Sequence, residues 1–123
     1  MSADPLTEKI IGMAIEVHKG LGPGLLESAY EACLSHELTS AGLQISRQLP
    51  VPLSYKGINL ECGYRADIVV ENTVLLELKA IDQILPIHKA QLLTYLRLTR
   101  LRVGLLMNFN VSMLRDGLHR MVL

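Results

Sequence analysis

Asp67, Glu77 and Lys79 are the residues of this sequence whose types and spacing best suit chemistry. They interrupt two otherwise apolar runs, Arg65-Ala66-Asp67-Ile68-Val69-Val70 and Leu75-Leu76-Glu77-Leu78-Lys79-Ala80. In an extended strand Glu77 and Lys79 are two apart and face the same side. Charged groups in such a strand cost free energy unless they are paired, solvated or bound to a metal. Two carboxylates with a main-chain carbonyl suit Mg²⁺ or Mn²⁺, hard ions that take oxygen ligands at about 2.1 Å. Such an ion lowers the pKa of bound water and neutralises charge building on a phosphate. A lysine nearby can orient or deprotonate that water, or stabilise a pentacovalent transition state. Alone, a strand Glu-x-Lys is weak evidence, because surface ion pairs produce the same pattern.

The turn between the two runs decides whether the carboxylates can meet. A two-residue turn at Glu71-Asn72 pairs Val70 with Thr73 and turns Glu77 away from Asp67. A three-residue loop, Glu71 to Thr73, pairs Val70 with Val74 and sets Asp67 opposite Glu77; a bulge would have the same effect. The second geometry is expected, since without it the two carboxylates cannot share an ion.

The surrounding elements read as three helices and five strands in the order ααβββαββ, an α/β (α+β) arrangement with helices covering a central mixed sheet. The first helix starts near Asp4-Pro5, with Asp as cap and Pro in the first turn. Ile10, Ile11, Ala14, Ile15 and His18 recur at helical spacing until Gly20-Leu21-Gly22-Pro23-Gly24 stops the run. A second helix is expected from about Leu25 to Ala41, with Leu26, Ala29, Tyr30, Cys33 and Leu34 inward and Gly42 as its stop. Period-two alternation follows through Ile45, Leu49, Val51, Leu53 and Tyr55. Pro50 and Pro52 cannot donate ladder hydrogen bonds, so this strand belongs at an edge. Lys56-Gly57 reads as a hairpin turn, and one strand is expected over about Ile58 to Val70, kinked at Gly63. The third strand covers Val74 to Ala80. A third helix begins after Pro86 and ends near Thr99, the run Val103 to Phe109 reads as a buried strand, and Leu118 to Val122 adds a last one after a turn at Asp116-Gly117.

The totals fit one domain over residues 1–123. Half of the 123 residues are apolar but only five are aromatic, so the core is built from Leu, Ile, Val and Ala, and disorder is excluded. The net charge of zero gives no global signature of a nucleic-acid coat protein. Basic residues are nevertheless more frequent after Tyr64 than before it, and Arg97, Arg100 and Arg102 cluster around the end of the third helix. They suit a helix terminus or could hold a nucleic-acid backbone, with binding that weakens steeply in salt. Cys33 and Cys62 have no metal-binding spacing and read as buried free thiols. No apolar signal core and no membrane-length apolar run occurs, so the expected compartment is the cytoplasm, with no membrane partner.

Among the remaining polar residues, Glu27 sits in the first helical turn, where any protein favours a carboxylate. It lies at the edge of the apolar face, but Glu37 projects there too. Gln91 and Tyr95 are four apart on one helical face, with His88 a turn earlier. They read either as a core-edge tyrosine with polar companions or as groups reaching the active site, His88 toward phosphate. Arg65 could pair with phosphate or with an acidic neighbour. His18 reads as a satisfied histidine at a helix end.

Asp67 followed ten residues on by Glu77-Leu78-Lys79 resembles the signature of the PD-(D/E)xK nuclease superfamily. Gly24-Leu25-Leu26-Glu27-Ser28-Ala29-Tyr30 resembles the GxxExxY family, a small-protein branch of it. Similarity continues through Ala14 to His18, Gly63 to Asp67, Gln91 to Tyr95, Leu105 to Asn110 and Asp116-Gly117, so it covers nearly the whole chain. The resemblance implies a restriction-endonuclease-like α-β-β-β-α-β core. It further implies Asp67 and Glu77 as metal ligands, Lys79 as the catalytic lysine, Glu27 as an extra acidic residue near the metal, and Gln91 as the polar residue of the following helix, with Tyr95 one turn on. Ala66 departs from the proline of the superfamily's name. The function implied is a Mg²⁺- or Mn²⁺-dependent nuclease acting on nucleic acid, DNA foremost. No separate element for reading a base sequence is apparent, so specificity would be low or supplied by a partner or a second copy, and a homodimer fits a domain this small. The alternatives are a non-catalytic nucleic-acid- or protein-binding module that keeps the fold, and an interaction protein whose charges form internal ion pairs.

Overall fold

Asp4 sets the first element of the structure, a computed structural model describing residues 4–123. One Asp4 carboxylate oxygen accepts from the Thr7 N–H and the other from the Thr7 hydroxyl, each at 2.8 Å, and Pro5 opens the helix. Helix α1 (Pro5–Leu21) buries Ile10, Ala14 and Val17 at helical spacing. It ends where Gly22, at positive φ, donates its N–H to the His18 carbonyl.

The next helix starts two residues later than the sequence suggests, and the reason lies in Tyr30. Its hydroxyl donates to the Gly22 carbonyl at 2.6 Å and accepts from the Leu25 N–H at 3.2 Å. The tyrosine thereby pins the glycine-rich loop against the helix, and α2 (Glu27–Ser40) opens on Glu27. Leu26, expected inward, is the N-cap and is 77% exposed. Tyr30, Leu34 and Leu38 carry the buried face, and the Tyr30 ring stacks on Phe109 at 4.5 Å.

Seven strands form instead of five, because each of the two strands expected between α2 and the Glu71 turn breaks in two. The first becomes β1 (Ile45–Pro50) and β2 (Leu53–Tyr55); the second becomes β3 (Ile58–Leu60) and β4 (Arg65–Val70). The breaks fall at Pro50-Val51-Pro52, where prolines remove ladder donors, and at Gly63, which adopts positive φ. Val51 N–H donates to the Tyr64 carbonyl at 2.9 Å, closing the base of the loop so formed. Lys56 and Gly57 both have positive φ, as the expected tight hairpin turn requires, and β2 pairs only with β3.

The main sheet runs β1-β4-β5-β6-β7, with β5 (Val74–Lys79), β6 (Val103–Asn108) and β7 (Leu118–Val122). Only β5 and β6 are parallel, and α3 (Pro86–Thr99) makes the crossover between them. Strand β1 lies at the edge, as its prolines demand. Helices α1 and α2 cover one face through a core that includes Ile68, Val70, Leu76, Leu78, Leu105 and Met107. Helix α3 covers the other, where Leu92, Tyr95 and Leu96 meet Val69, Leu75 and Leu106. The mixed sheet flanked by helices is the restriction-endonuclease-like architecture, and the succession α2-β1-β4-β5-α3-β6 reproduces the expected α-β-β-β-α-β core with the β2–β3 hairpin inserted.

Beyond β6 a short 3-10 turn (Leu114–Gly117) folds back on the strand. A Cβ at Gly117 would collide with the Asn108 carbonyl oxygen. Gly117→Ala is therefore expected to destabilise the fold by about 2 kcal/mol, as overpacking against an immobile backbone does. A urea midpoint unchanged from that of the parent would refute this.

Candidate active site

The loop after β4 holds three residues. Glu71 and Asn72 take positive φ, Thr73 N–H donates to the Val70 carbonyl at 2.9 Å, and pairing begins at Val70 with Val74. Val69 then meets Leu75 and Ile68 meets Leu76, so Asp67 falls opposite Glu77. This is the longer of the two loop geometries considered, the one in which the carboxylates can meet.

At that position side chains take over from the ladder. The Asp67 N–H donates to Glu77 Oε1 at 3.1 Å, and the Leu78 N–H donates to Asp67 Oδ2 at 2.8 Å. Each carboxylate thus satisfies the backbone of the other's strand where the two strands part. Burial first, then the charges of Asp67 and Glu27, push the Glu77 carboxyl up to about 8, against the Asp67 N–H and the nearby Lys79 ammonium, which favour the charge. Asp67 is also raised, first by burial and then by Glu31 and Glu27, against its hydrogen bonds from Leu78 and Gln48. Two acids that resist ionisation, with a half-buried lysine close by, would have their charged forms favoured by a further cation.

Sheet and helix ends supply the other groups. Glu27 opens α2, exposed, within electrostatic reach of both acids. Gln91 Nε2 donates to the Tyr95 hydroxyl at 3.1 Å, and Tyr95 is buried with its pKa raised by burial first and then by Glu77, Tyr64 and Asp67. Lys79 is held by the next strand: the Phe109 N–H donates to its carbonyl at 2.8 Å, and the buried Asn108 side chain bonds both ways to the Ile81 backbone.

Other candidates are placed elsewhere or otherwise engaged. His88 Nδ1 accepts the Leu85 N–H at 2.8 Å, which caps α3. Arg65 Nη1 donates to Glu61 Oε1 at 3.1 Å, so its partner is the acidic neighbour. His18 Nε2 sits 2.8 Å from the Val111 carbonyl and 3.2 Å from that of Phe109, a satisfied histidine. Glu37 lines a cleft of about 480 Å³ between α1 and α2, apart from Asp67. Cys33 and Cys62 are free thiols, but Cys62 is exposed and Cys33 half-buried. The arginine cluster lies at the opposite end of the sheet: Arg100 and Arg102 precede β6 beside Asn72 and Thr73, roughly 17 Å from the Lys79 end at about 3.3 Å per residue.

Two residues that the sequence reading did not single out complete the surroundings. Glu31, one turn after Glu27 and only 8% exposed, accepts from Arg47 Nε at 3.1 Å and Gln48 Nε2 at 2.7 Å. The same Gln48 amide reaches Asp67 Oδ1 at 3.3 Å. Gln48 does so from φ 51, a left-handed conformation inside strand β1 that costs about 1 kcal/mol or more for a residue with a side chain. The spacing of Glu27 and Glu31 was a readable signal for one helical face; nothing in the sequence announces the turned backbone of Gln48. Gln48→Ala is expected to lose about 1 to 2 kcal/mol, as hydrogen bonds to charged acceptors do. Gln48→Gly should lose less, since glycine relieves the strain. Equal denaturation midpoints for both variants and the parent would refute the bridge.

A mixed sheet with helices on both faces, opening where two carboxylates and a lysine come together, defines a restriction-endonuclease-like α/β domain. The sequence matches the PD-(D/E)XK nuclease superfamily over residues 4–121, and the chain belongs to that superfamily. No curated protein and no solved structure matches it. Nucleases of this superfamily generally use divalent metals. Among the described residues no three His, Cys, Asp or Glu side chains form a ready metal cluster. The donor chemistry still fits a hard ion: Glu77 Oε2 accepts no hydrogen bond among the described residues, and Asp67 Oδ1 only the long one from Gln48. Mg²⁺ is commonly bound by one or two carboxylates, with water and substrate oxygens filling its other positions.

Proposed function

We propose that this chain is a metal-dependent nuclease of the GxxExxY branch, hydrolysing phosphodiester bonds in nucleic acid, with DNA as the favoured substrate. The carrying observation is the reciprocal bonding of Asp67 and Glu77 across the parted strands, beside Lys79. Asp67 and Glu77 would hold Mg²⁺ or Mn²⁺ through their remaining oxygens, with Glu27 adjoining. The bound ion supplies a more acidic water and neutralises charge on the phosphate. Lys79, half-buried at the same strand end, orients the attacking water or stabilises the charge developing on the phosphate. Gln91 fixes the Tyr95 hydroxyl, and the two together present donors to a substrate oxygen. The spacing Gly24, Glu27, Tyr30 makes physical sense in this reading. Tyr30 clamps the glycine loop, and the clamp sets Glu27 at the start of α2.

Residues 1–123 would act as one domain, in the cytoplasm, with a second copy supplying the contact area that a single small domain lacks. Among the described residues no helix is long and apolar enough to cross a membrane. The test is incubation of pure protein with mixed nucleic acids and Mn²⁺, alongside Asp67→Ala and Lys79→Ala. Cleavage by the parent that both substitutions abolish supports the reading; cleavage surviving in both assigns it to another site or a contaminant.

A further inference from the structure

The hairpin β2–β3 leaves the main sheet between β1 and β4 and packs chiefly on itself. Its register sets Leu53 against Leu60 and Tyr55 against Ile58, so these four side chains share one face, while Ser54 and Asn59 take the other. The apolar face is uncovered: Tyr55 and Ile58 are each 58% exposed and Leu60 is 41% exposed. A lone two-stranded hairpin is marginally stable in water, and an apolar face left bare on one marks a binding surface.

Its position and charges say what binds. The hairpin is rooted where Pro50 pairs with Arg65, two residues from Asp67. The ring of Tyr64, at its base, lies 6.1 Å from that of Tyr95, so the arm and the site are continuous. Lys56 Nζ stands 5.4 Å from the Tyr55 ring centroid at the tip, and Arg65 follows Tyr64 at the base. On the α2 side of the site Glu27 stands exposed, and its carboxylate repels a phosphate chain. The arm therefore offers a polyanion the Lys56 ammonium at its tip and surfaces on which bases can stack or between which they can be wedged. A twofold contact between copies of this face would instead bury Lys56 without an anion, because the arm's one carboxylate, Glu61, is already paired with Arg65.

We infer that the β2–β3 arm binds an unpaired nucleic-acid strand and leads it to the carboxylates, which makes single-stranded or frayed nucleic acid the substrate class. This rests on the proposed function for the chemistry at Asp67 and Glu77, but not for the binding. The experiment is fluorescence anisotropy in Mn²⁺ with the full chain carrying Lys79→Ala. The probes are a labelled single strand and the same sequence as a blunt duplex. Adding Tyr55→Ala together with Ile58→Ala is expected to weaken single-strand binding about tenfold or more, as loss of a stacking surface does, and duplex binding much less. Lys56→Ala should flatten the salt dependence of single-strand affinity. Because Tyr55 and Ile58 are exposed, the variants should melt with the parent.

Unchanged single-strand affinity would overturn the inference. So would an unchanged affinity accompanied by a shift from dimer to monomer in sedimentation, which would assign the face to a second copy. Arm-dependent strand binding by a parent chain that cleaves nothing would remove the nuclease reading and leave the arm's role standing. Cleavage with arm-independent binding would do the reverse.

Discussion

Replacing Glu77 with glutamine is expected to raise the melting temperature of the metal-free protein above neutral pH by several degrees. Glu77 is 6% exposed, and its carboxyl titrates at about 8 in the folded chain against 4.5 in its ordinary setting. Between those values the folded state holds a proton that the unfolded chain has released. Stability of the parent therefore falls as pH rises through the window from 4.5 to 8, by at most about 1.4 kcal/mol per unit. Above 8 the full cost of the buried charge is present, on the order of 5 kcal/mol; below 4.5 it is absent. Asp67, shifted in the same direction, adds to the slope. Glutamine has nearly the same shape, can still accept the Asp67 N–H, and never ionises. Melts in a chelator from pH 5 to 9 should therefore show the parent and Glu77→Gln close together at the acid end and separating upward. Mn²⁺ should reverse the ranking, stabilising only the parent by mass action on the folded state. A parent whose melting temperature is flat across this range would refute the strained pair.

That strain was half legible in the sequence. The two-residue spacing of Glu77 and Lys79 and the expected three-residue loop after Val70 set Asp67 against Glu77, since register follows from loop length and the two-residue period. What the sequence could not supply was the parting of the strands at that point, because it depends on two side chains taking backbone donors from each other. The interruption of the edge strand had a visible cause in Pro50 and Pro52, yet the result, an arm rather than a bend, depends on Gly63 turning at the matching place. Gln48 was illegible for a different reason. Glutamine carries no preference for positive φ, and only the tertiary pull of Glu31 and Asp67 accounts for its conformation. Leu26 misled because it fits the helical period of α2 but precedes the point where Tyr30 allows the helix to start.

Lys79→Ala is expected to lower Mn²⁺-dependent cleavage about 100- to 1,000-fold, the cost of removing one stabiliser of transition-state charge, while leaving the metal-induced rise in melting temperature in place. Asp67→Ala is expected to abolish both. The difference follows from what each side chain can do. An ammonium carries three donors and no lone pair when protonated, so Lys79 cannot be a ligand beside a cation and must act on water or phosphate. Asp67 has an oxygen to offer the ion and another bound to the Leu78 N–H, so its loss removes a ligand and also frees a backbone donor at the centre of the site. Glu77→Gln completes the set: it should lose the metal response like Asp67→Ala but keep the fold's stability. If the charges were only an internal ion-pair network, Lys79→Ala would leave Glu77 without the nearby ammonium that favours its charge, and Mn²⁺ would change no melting temperature. If the domain were a binding module, Mn²⁺ would stabilise it and Lys79→Ala would alter affinity for nucleic acid with no cleavage to lose. Melting temperature with and without Mn²⁺, and turnover, measured on the same three variants, therefore separate a nuclease from both alternatives, because only an enzyme places the lysine in the turnover column alone.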